Sequence, residues 1–226
     1  MSSPPPLIVI SPHLDDGVFS CGNLIAARPG AVVATVFAAV PAASLPAPDW
    51  DRRTGFDTAA GAMRARRDED QQALRLLAAT PLWLEFFDSQ YGVAAEVEQI
   101  ALRLQRILAE SAADSVIAPL GLFHGDHLLT HQAALSLWRR APAPGSWLFY
   151  EDAPYRRFPG LLQERLAQLR DAGIHAAPVD LHRSDMAAAK AEAVCAYRSQ
   201  LPGLGHGRQD LQAPERYWQL QWSEPR

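Results

Sequence analysis

The stretch "LIVISPHLDD", Leu7 to Asp16, decides the fold. Leu7 to Ile10 is a continuous apolar run without polar alternation, which reads as a strand covered on both faces, as in a parallel sheet between helices. The run then breaks into Ser11, Pro12, His13, Leu14 and two adjacent aspartates. In an open α/β sheet ligands collect beyond the carboxyl ends of the strands, so His13, Asp15 and Asp16 stand where a site is expected. His13 and Asp16 are three apart across a strand-to-helix turn, a spacing at which an imidazole nitrogen and a carboxylate oxygen can converge on one cation. Asp15, between them, points elsewhere.

Working outward, the pattern repeats. Strand signals cover Leu7 to Ser11, Ala31 to Val40, Leu82 to Phe87, Ser115 to Leu120, Trp147 to Tyr150 and Ala177 to Leu181. Helical periodicity covers Asp16 to Ala27, Thr58 to Ala78, Ala94 to Ser111, Asp126 to Arg139, Gly160 to Asp171 and Ser184 to Gln200. This alternation predicts right-handed crossovers and a three-layer α/β/α sandwich with a mostly parallel sheet. The tail "ERYWQLQW", Glu215 to Trp222, reads as a late edge strand. Pro41 to Gly55 has no periodicity and is long for a connection, which suits a functional loop or a flap. An α/β fold of 226 residues commonly forms one core, so a single domain over residues 1–226 is expected.

Hydrophobic residues make up 48% and charged residues 20%, which suits a globular protein. A net charge of -4 leaves no positive excess to neutralise phosphates, so a nucleic-acid partner is not expected. Cys21 and Cys195 are too far apart in sequence for a CxxC pair and read as packed thiols in a reducing compartment. The start, MSSPPP, lacks the pattern of a secretory signal, and no apolar run reaches the ~18 residues of a membrane span. A cytoplasmic location without membrane association is expected; oligomeric state is not readable.

Two ligands are too few for a cation site, and the fourth strand offers more. "APLGLFHGDHLLTH", Ala118 to His131, ends that strand and then supplies His124, Asp126, His127 and His131 at the same sheet edge. With a helix starting near Asp126, that aspartate occupies the favourable amino-terminal end and His127 lies in the first turn. His13, Asp16 and His127 are the candidate ligands, a set that suits zinc or a similar divalent ion with a position left for water. Taken singly, an Asp before a helix is usually a cap and a lone His a packed residue. Two acid and imidazole clusters, each after a buried strand, favour the shared site. His127 and His131 at i, i+4 are also the spacing of an HExxH helix, but Leu128 stands where that motif needs Glu. His131 reads as a supporting or helix-face residue, and His175, His182 and His206 as structural or exposed.

"SPHLDD" followed later by "HGDHLLTH" resembles the PIG-L/LmbE-like zinc-dependent N-acetylglucosaminyl deacetylase family, whose signatures are PHPDDE and HPDHxxxH. "RARRDEDQQALRLL" is similar to the family's Arg-x-x-Glu helix, matched by Arg66 and Glu69, with Arg67 an alternative to Arg66. "FFDSQY" resembles the following strand, ending at Asp88. The resemblance implies a Rossmann-like fold and hydrolysis of an N-acetyl group, often on an N-acetylglucosamine unit. It implies that His13, Asp16 and His127 bind one Zn2+, that Asp15 is the general base and that His124 stabilises the oxyanion. Asp126 is then expected to orient His124, and Arg66 and Asp88 to place the substrate. Leu14 replaces the usual Pro and Gly17 the usual Glu. Leu122 stands where some members carry Tyr two residues before the active-site His.

The reaction so implied is metal-assisted attack of water on the amide, with Asp15 taking the proton and returning it to the amine. The expected partner is a small N-acetylated amino sugar or glycoside: a thiol-cofactor precursor, an antibiotic intermediate or a phosphoinositol glycan. Trp50, Arg52, Arg53, Tyr91, Tyr150, Asp152 and Tyr155 are candidate pocket residues. Two alternatives remain open from the residues: a catalytically silent ligand-binding module of the same fold, and a phosphoesterase, which favours two metals and more carboxylates.

Overall fold

Every residue of β1 (Leu7–Ser11) is buried, as its unbroken apolar run requires of a strand between two helix layers. The computed structural model describes residues 7–111, 113–140, 146–181 and 183–222. After β1 come α1 (Asp16–Ala26), β2 (Val32–Thr35), the short α2 (Asp49–Arg53), α3 (Ala59–Leu76), β3 (Thr80–Trp83) and α4 (Val97–Ser111). The chain continues through β4 (Ser115–Pro119), α5 (Gly125–Arg140), β5 (Ser146–Tyr150), α6 (Leu161–Asp171), β6 (Ile174–Val179), α7 (Ala187–Val194) and β7 (Tyr217–Trp222). The strands form one sheet in the order β3-β2-β1-β4-β5-β7-β6. The first five in that order run parallel, and β7 pairs antiparallel with β5 and β6. The α/β sandwich expected from the alternation is the fold.

Side chains of β1 alternate between two cores. Ile8 and Ile10 pack with Leu104 and Ile107 of α4 and Ala133 and Leu137 of α5. Leu7 and Val9 pack on the other face with Phe19 and Ile25 of α1, Leu74 of α3 and Ala193 of α7. Each buried aliphatic contributes ~1.5–3 kcal/mol, and a one-residue slip would exchange the two sets, so β1 is held in register. From β1 the chain moves outward to β2 and β3, then returns to β4 and moves the other way to β5. The reversal falls between β1 and β4, and beyond their carboxyl ends lies the crevice that such a switch point opens.

Several boundaries depart from the sequence pattern. β2 stops at Thr35, although Val36 and Phe37 still donate to Ser11 and Pro12 carbonyls at 2.8 and 2.9 Å. β3 begins at Thr80 and contains Pro81, tolerated because β3 is an edge strand. The expected helix to Gln200 ends at Val194, because Glu69 and Asp70 on α3 draw the following turns inward: Tyr197 donates to Asp70 at 2.8 Å and Ser199 to Glu69 at 2.6 Å. The segment 41–55 is not wholly irregular, since α2 lies within it. β7 is not an edge strand: it is inserted between β5 and β6, and β6 takes the edge.

Cys21 is buried but Cys195 is exposed, so only one of the two thiols is packed. His175 is exposed, while His182, the side chain of His206 and residues 1–6 lie outside the described residues. Among the described residues no helix is long and apolar enough to cross a membrane.

Candidate active site

The turn after β1 is tied by Ser11, whose hydroxyl donates to the His13 carbonyl at 2.6 Å and accepts from Gly17 N–H at 2.8 Å. His13 N–H donates to Asp16 Oδ2 at 3.0 Å, folding that carboxylate back over the turn, and His13 Nδ1 lies 3.2 Å from the same oxygen. Asp15 occupies the position before α1 but makes no capping bond with its side chain. The ordinary reason for an Asp at a helix start is therefore missing, and its carboxylate lines the crevice.

The chain leaves β4 through Gly121 at φ +73°, where a Cβ would lie 2.6 Å from the Cβ of His131, so only glycine fits. Leu122 N–H donates to Asp152 Oδ2 at 2.9 Å, and His124 N–H donates to the Leu122 carbonyl at 2.8 Å. That last bond closes a three-residue turn centred on Phe123 at φ +64°, a conformation that costs a residue with a side chain. α5 then starts, with Asp126 and His127 in its first turn.

His127 Nε2 lies 3.0 Å from Asp16 Oδ2, so both imidazoles meet the same carboxylate oxygen. Their remote nitrogens are each held by another acid: His13 Nε2 lies 3.0 Å from Asp126 Oδ2, and His127 Nδ1 lies 2.6 Å from Asp152 Oδ1. A ring N–H donated to a carboxylate leaves the other nitrogen a lone-pair donor, the arrangement that orients metal-binding histidines. His127 Nε2 is buried and makes no hydrogen bond. At 3.0 Å from a carboxylate oxygen this nitrogen needs a positive charge between them: either a proton, which burial disfavours but Asp16 and Asp152 favour, raising the ring's pKa to about 9, or a metal ion, which this set of two imidazoles and a carboxylate fits. Ligand atoms of His13, His124 and His127 also lie within 4.8 Å of one another, as do those of His13, Asp88 and Asp126. His131 belongs to neither group: its ring meets the Pro119 carbonyl at 2.9 Å, and burial lowers its pKa to about 4. An HExxH-like pair is thereby excluded.

Burial disfavours the Asp16 carboxylate, but the adjacent His127 and His13 outweigh it and hold its pKa well below the usual range. Burial, followed by the charge of Asp16, pushes Asp15 up to about 7. A carboxylate poised there suits base catalysis near neutral pH. Burial, and then the neighbouring His13 and His127, lower the pKa of His124. Its Nδ1 accepts Asp126 N–H at 3.3 Å, which places the ring proton on Nε2. The Asp126 carboxylate is turned away from His124: it takes His13 and the N–H of Ser89, and only its backbone meets His124.

Above these groups opens a cavity of about 400 Å³ lined by Asp15, His124, Arg66, Asp88, Trp50 and Tyr155, among others. Arg66, not Arg67, reaches it; Arg67 instead binds the Ala38 carbonyl and Glu85. Arg66 is held by Asp51 of α2, which also accepts the Tyr91 hydroxyl at 2.9 Å. Asp88 accepts both the backbone and side-chain N–H groups of Gln90. Of the other pocket candidates, Arg52, Arg53, Tyr91, Tyr150 and Asp152 do not line the cavity. Tyr150 is in the core with its hydroxyl on the Ile10 carbonyl, and Tyr91 backs Arg66 from behind.

The sequence model of the family described as PIG-L: GlcNAc-PI de-N-acetylase matches residues 8–138. The chain belongs to this family. It is 31% identical over 165 residues to the 2'-N-acetylparomamine deacetylase of Streptomyces fradiae, an alignment covering 66% of this chain and 57% of that protein, so the chain spans under two thirds of this relative. Among solved structures, a triple mutant of a deacetylase of the teicoplanin biosynthetic pathway superposes with a TM-score of 0.77 at 27% identity, covering 98% of this chain and all of that one. The zinc-inhibited form of teicoplanin deacetylase gives 0.75 at 25% identity over 98% of this chain and 100% of its own.

Within this PIG-L chain the departures from the family signatures have structural reasons. Leu14 is 3% exposed and packs with Ala38, Met63 and Tyr91. At Gly17 a Cβ would stand 3.0 Å from Val33, so any side chain needs β2 to give way. Leu122 is core, and no hydroxyl replaces it at that position. Sequence reasoning placed Asp152 in the pocket rather than behind His127. Its position after β5, at the same sheet edge as His13 and His127, was the signal that could have found it.

Proposed function

We propose that this chain is a divalent-metal hydrolase, with zinc the fitting ion, that removes an N-acetyl group from an amino sugar of a glycosylated small molecule. The observation that carries the reading is the convergence of two carboxylate-braced imidazoles on Asp16, with an uncapped Asp15 beside them under an open cavity. His13, Asp16 and His127 would hold the ion. When bound, it supplies Lewis acidity and a water whose pKa is lowered to about 7.

Asp15 takes a proton from the attacking water as the new C–O bond forms at the amide carbon. His124 donates from Nε2 to the carbonyl oxygen as that atom gains charge. A single preorganised donor of this kind typically contributes about 3–4 kcal/mol to the barrier. As the C–N bond breaks, Asp15 passes its proton to the departing amine, leaving acetate and a free amino sugar. Arg66, steadied by Asp51, and Asp88 orient the sugar. The relatives act, by their names, on an acetylated aminoglycoside and on teicoplanin, which supports a glycoside substrate.

Acetate release from a panel of N-acetylated glycosides, with and without prior chelation, tests the reading. Turnover that is lost with the metal and restored by zinc is expected. Binding of the panel without acetate would leave the silent binding module instead.

A further inference from the structure

Directly beside His124, the cavity mouth carries an aromatic cluster that the deacetylation chemistry does not use. Phe123 is 69% exposed and Phe158 38%, so neither contributes much to the core. Their rings stack at 5.5 Å with 26° between planes, and Phe123 also meets Tyr155 at 5.3 Å. Tyr155 in turn packs edge-on against His127 at 5.0 Å, linking the cluster to the reaction centre. The Arg157 guanidinium lies over Phe158 at 5.1 Å, extending the flat surface. Phe123 is presented by the strained turn at φ +64°, where a glycine would sit without cost. Phe123, Tyr155, Arg157 and Phe158 all line the cavity.

The charged groups of the wall are otherwise engaged. The acids on the cavity wall are Asp15, Asp16 and Asp88. The first two belong to the chemistry, and Asp88 already accepts two bonds from Gln90. At the mouth stand rings, with the Arg157 guanidinium over Phe158 and 3.6 Å from Asp210, a surface that receives a flat, weakly polar group.

We propose that the substrate carries an aryl group beyond its N-acetylated sugar, and that this group stacks on Phe123 and Phe158. This rests on the deacetylase reading above and names its substrate class: an aryl glycoside in preference to a glycoside without an aromatic group.

The test compares kcat/KM for p-nitrophenyl N-acetyl-β-glucosaminide, methyl N-acetyl-β-glucosaminide and 2'-N-acetylparomamine, following acetate release by the zinc-loaded full chain. The aryl glycoside is expected to be preferred about tenfold, the scale of ring stacking, over the methyl glycoside and over 2'-N-acetylparomamine, neither of which carries a ring to stack. Phe123→Ala and Phe158→Ala are each expected to reduce the aryl-to-methyl ratio severalfold, mainly through KM. Phe158 lies in the segment after β5 and not in the turn that carries His124, so its variant separates stacking from a disturbed catalytic turn. An aryl-to-methyl ratio near one in the wild type, a ratio unchanged in both variants, or a preference for 2'-N-acetylparomamine would overturn the proposal. Should no glycoside release acetate, the deacetylase reading fails by itself. Calorimetric binding of the aryl glycoside, weakened in both variants, would then still support the stacking surface, and its absence would overturn it.

Discussion

The turns after β1 and β4 and the segment after β5 face the same cavity but are built differently. At the first two, short hydrogen-bonded turns hold ring nitrogens of His13 and His127 3.2 and 3.0 Å from one Asp16 oxygen, over strands buried on both faces. After β5 the wall is made of turns carrying Tyr155, Arg157 and Phe158, and of Gln200, Gly203 and Leu204 around the start of a 3₁₀ stretch (Leu201–Gln212), with the Phe158 ring exposed. The family match ends at residue 138, before β5 begins. On the proposed reading the chemistry falls to the parallel half of the sheet, and substrate choice to the half where loops are free to differ. Asp152 crosses this division, since it lies in the second region and braces His127 of the first.

The sharpest way to break this contrast is to remove chemistry without removing structure. Asp15→Asn is expected to lower kcat by about 10²–10⁴ while metal content and melting temperature stay near wild type, measured by steady-state kinetics and metal analysis. Wild-type turnover would show that the base lies elsewhere.

Asp51 tests whether the 41–55 segment belongs to the parallel half. Asp51→Ala leaves Arg66 buried without its carboxylate, which is expected to cost about 3 kcal/mol in urea denaturation. KM should rise more than kcat falls. An unchanged denaturation midpoint would mean that α2 is only a cover.

Asp152→Asn probes the residue that joins both regions. Metal affinity should fall about 10–100-fold, read by competition with a chelating dye, because His127 loses the acceptor that fixes its tautomer. Unaltered affinity would confine the metal site to the first region.

The smallest effect is a pH dependence. Burial holds His131 at about 4 in the folded chain, below the ~6.5 of an exposed imidazole. The folded state therefore binds fewer protons, and stability is lost as pH falls from about 6.5 towards 4. Between pH 7 and 5 the loss from this group is about 2 kcal/mol. His131→Gln should flatten that part of the stability profile, and an unchanged slope would assign it to other groups.

The sequence made the first region legible for physical reasons. Unbroken apolar runs mark strands buried on both faces, and acids and imidazoles directly after such runs have few structural explanations. The second region follows other rules. β7 gained an interior place through a long irregular path that no local pattern encodes, and α7 ended early because Tyr197 and Ser199 bind acids on α3, far away in sequence. Asp126 was expected on His124 because they are neighbours in the chain, yet its side chain leaves α5 towards His13. Asp152 and Asp51 were hidden for the same reason: their partners, His127 and Arg66, come from other elements.

The central claim is that two braced imidazoles and Asp16 share one cation. Zinc titration of the chelated protein, alongside His13→Ala, Asp16→Ala and His127→Ala, tests it most directly. One tightly bound ion per wild-type chain, lost in each of the three variants while they remain folded, is the predicted result. No tight binding by the wild type, or binding that survives loss of Asp16, would contradict it.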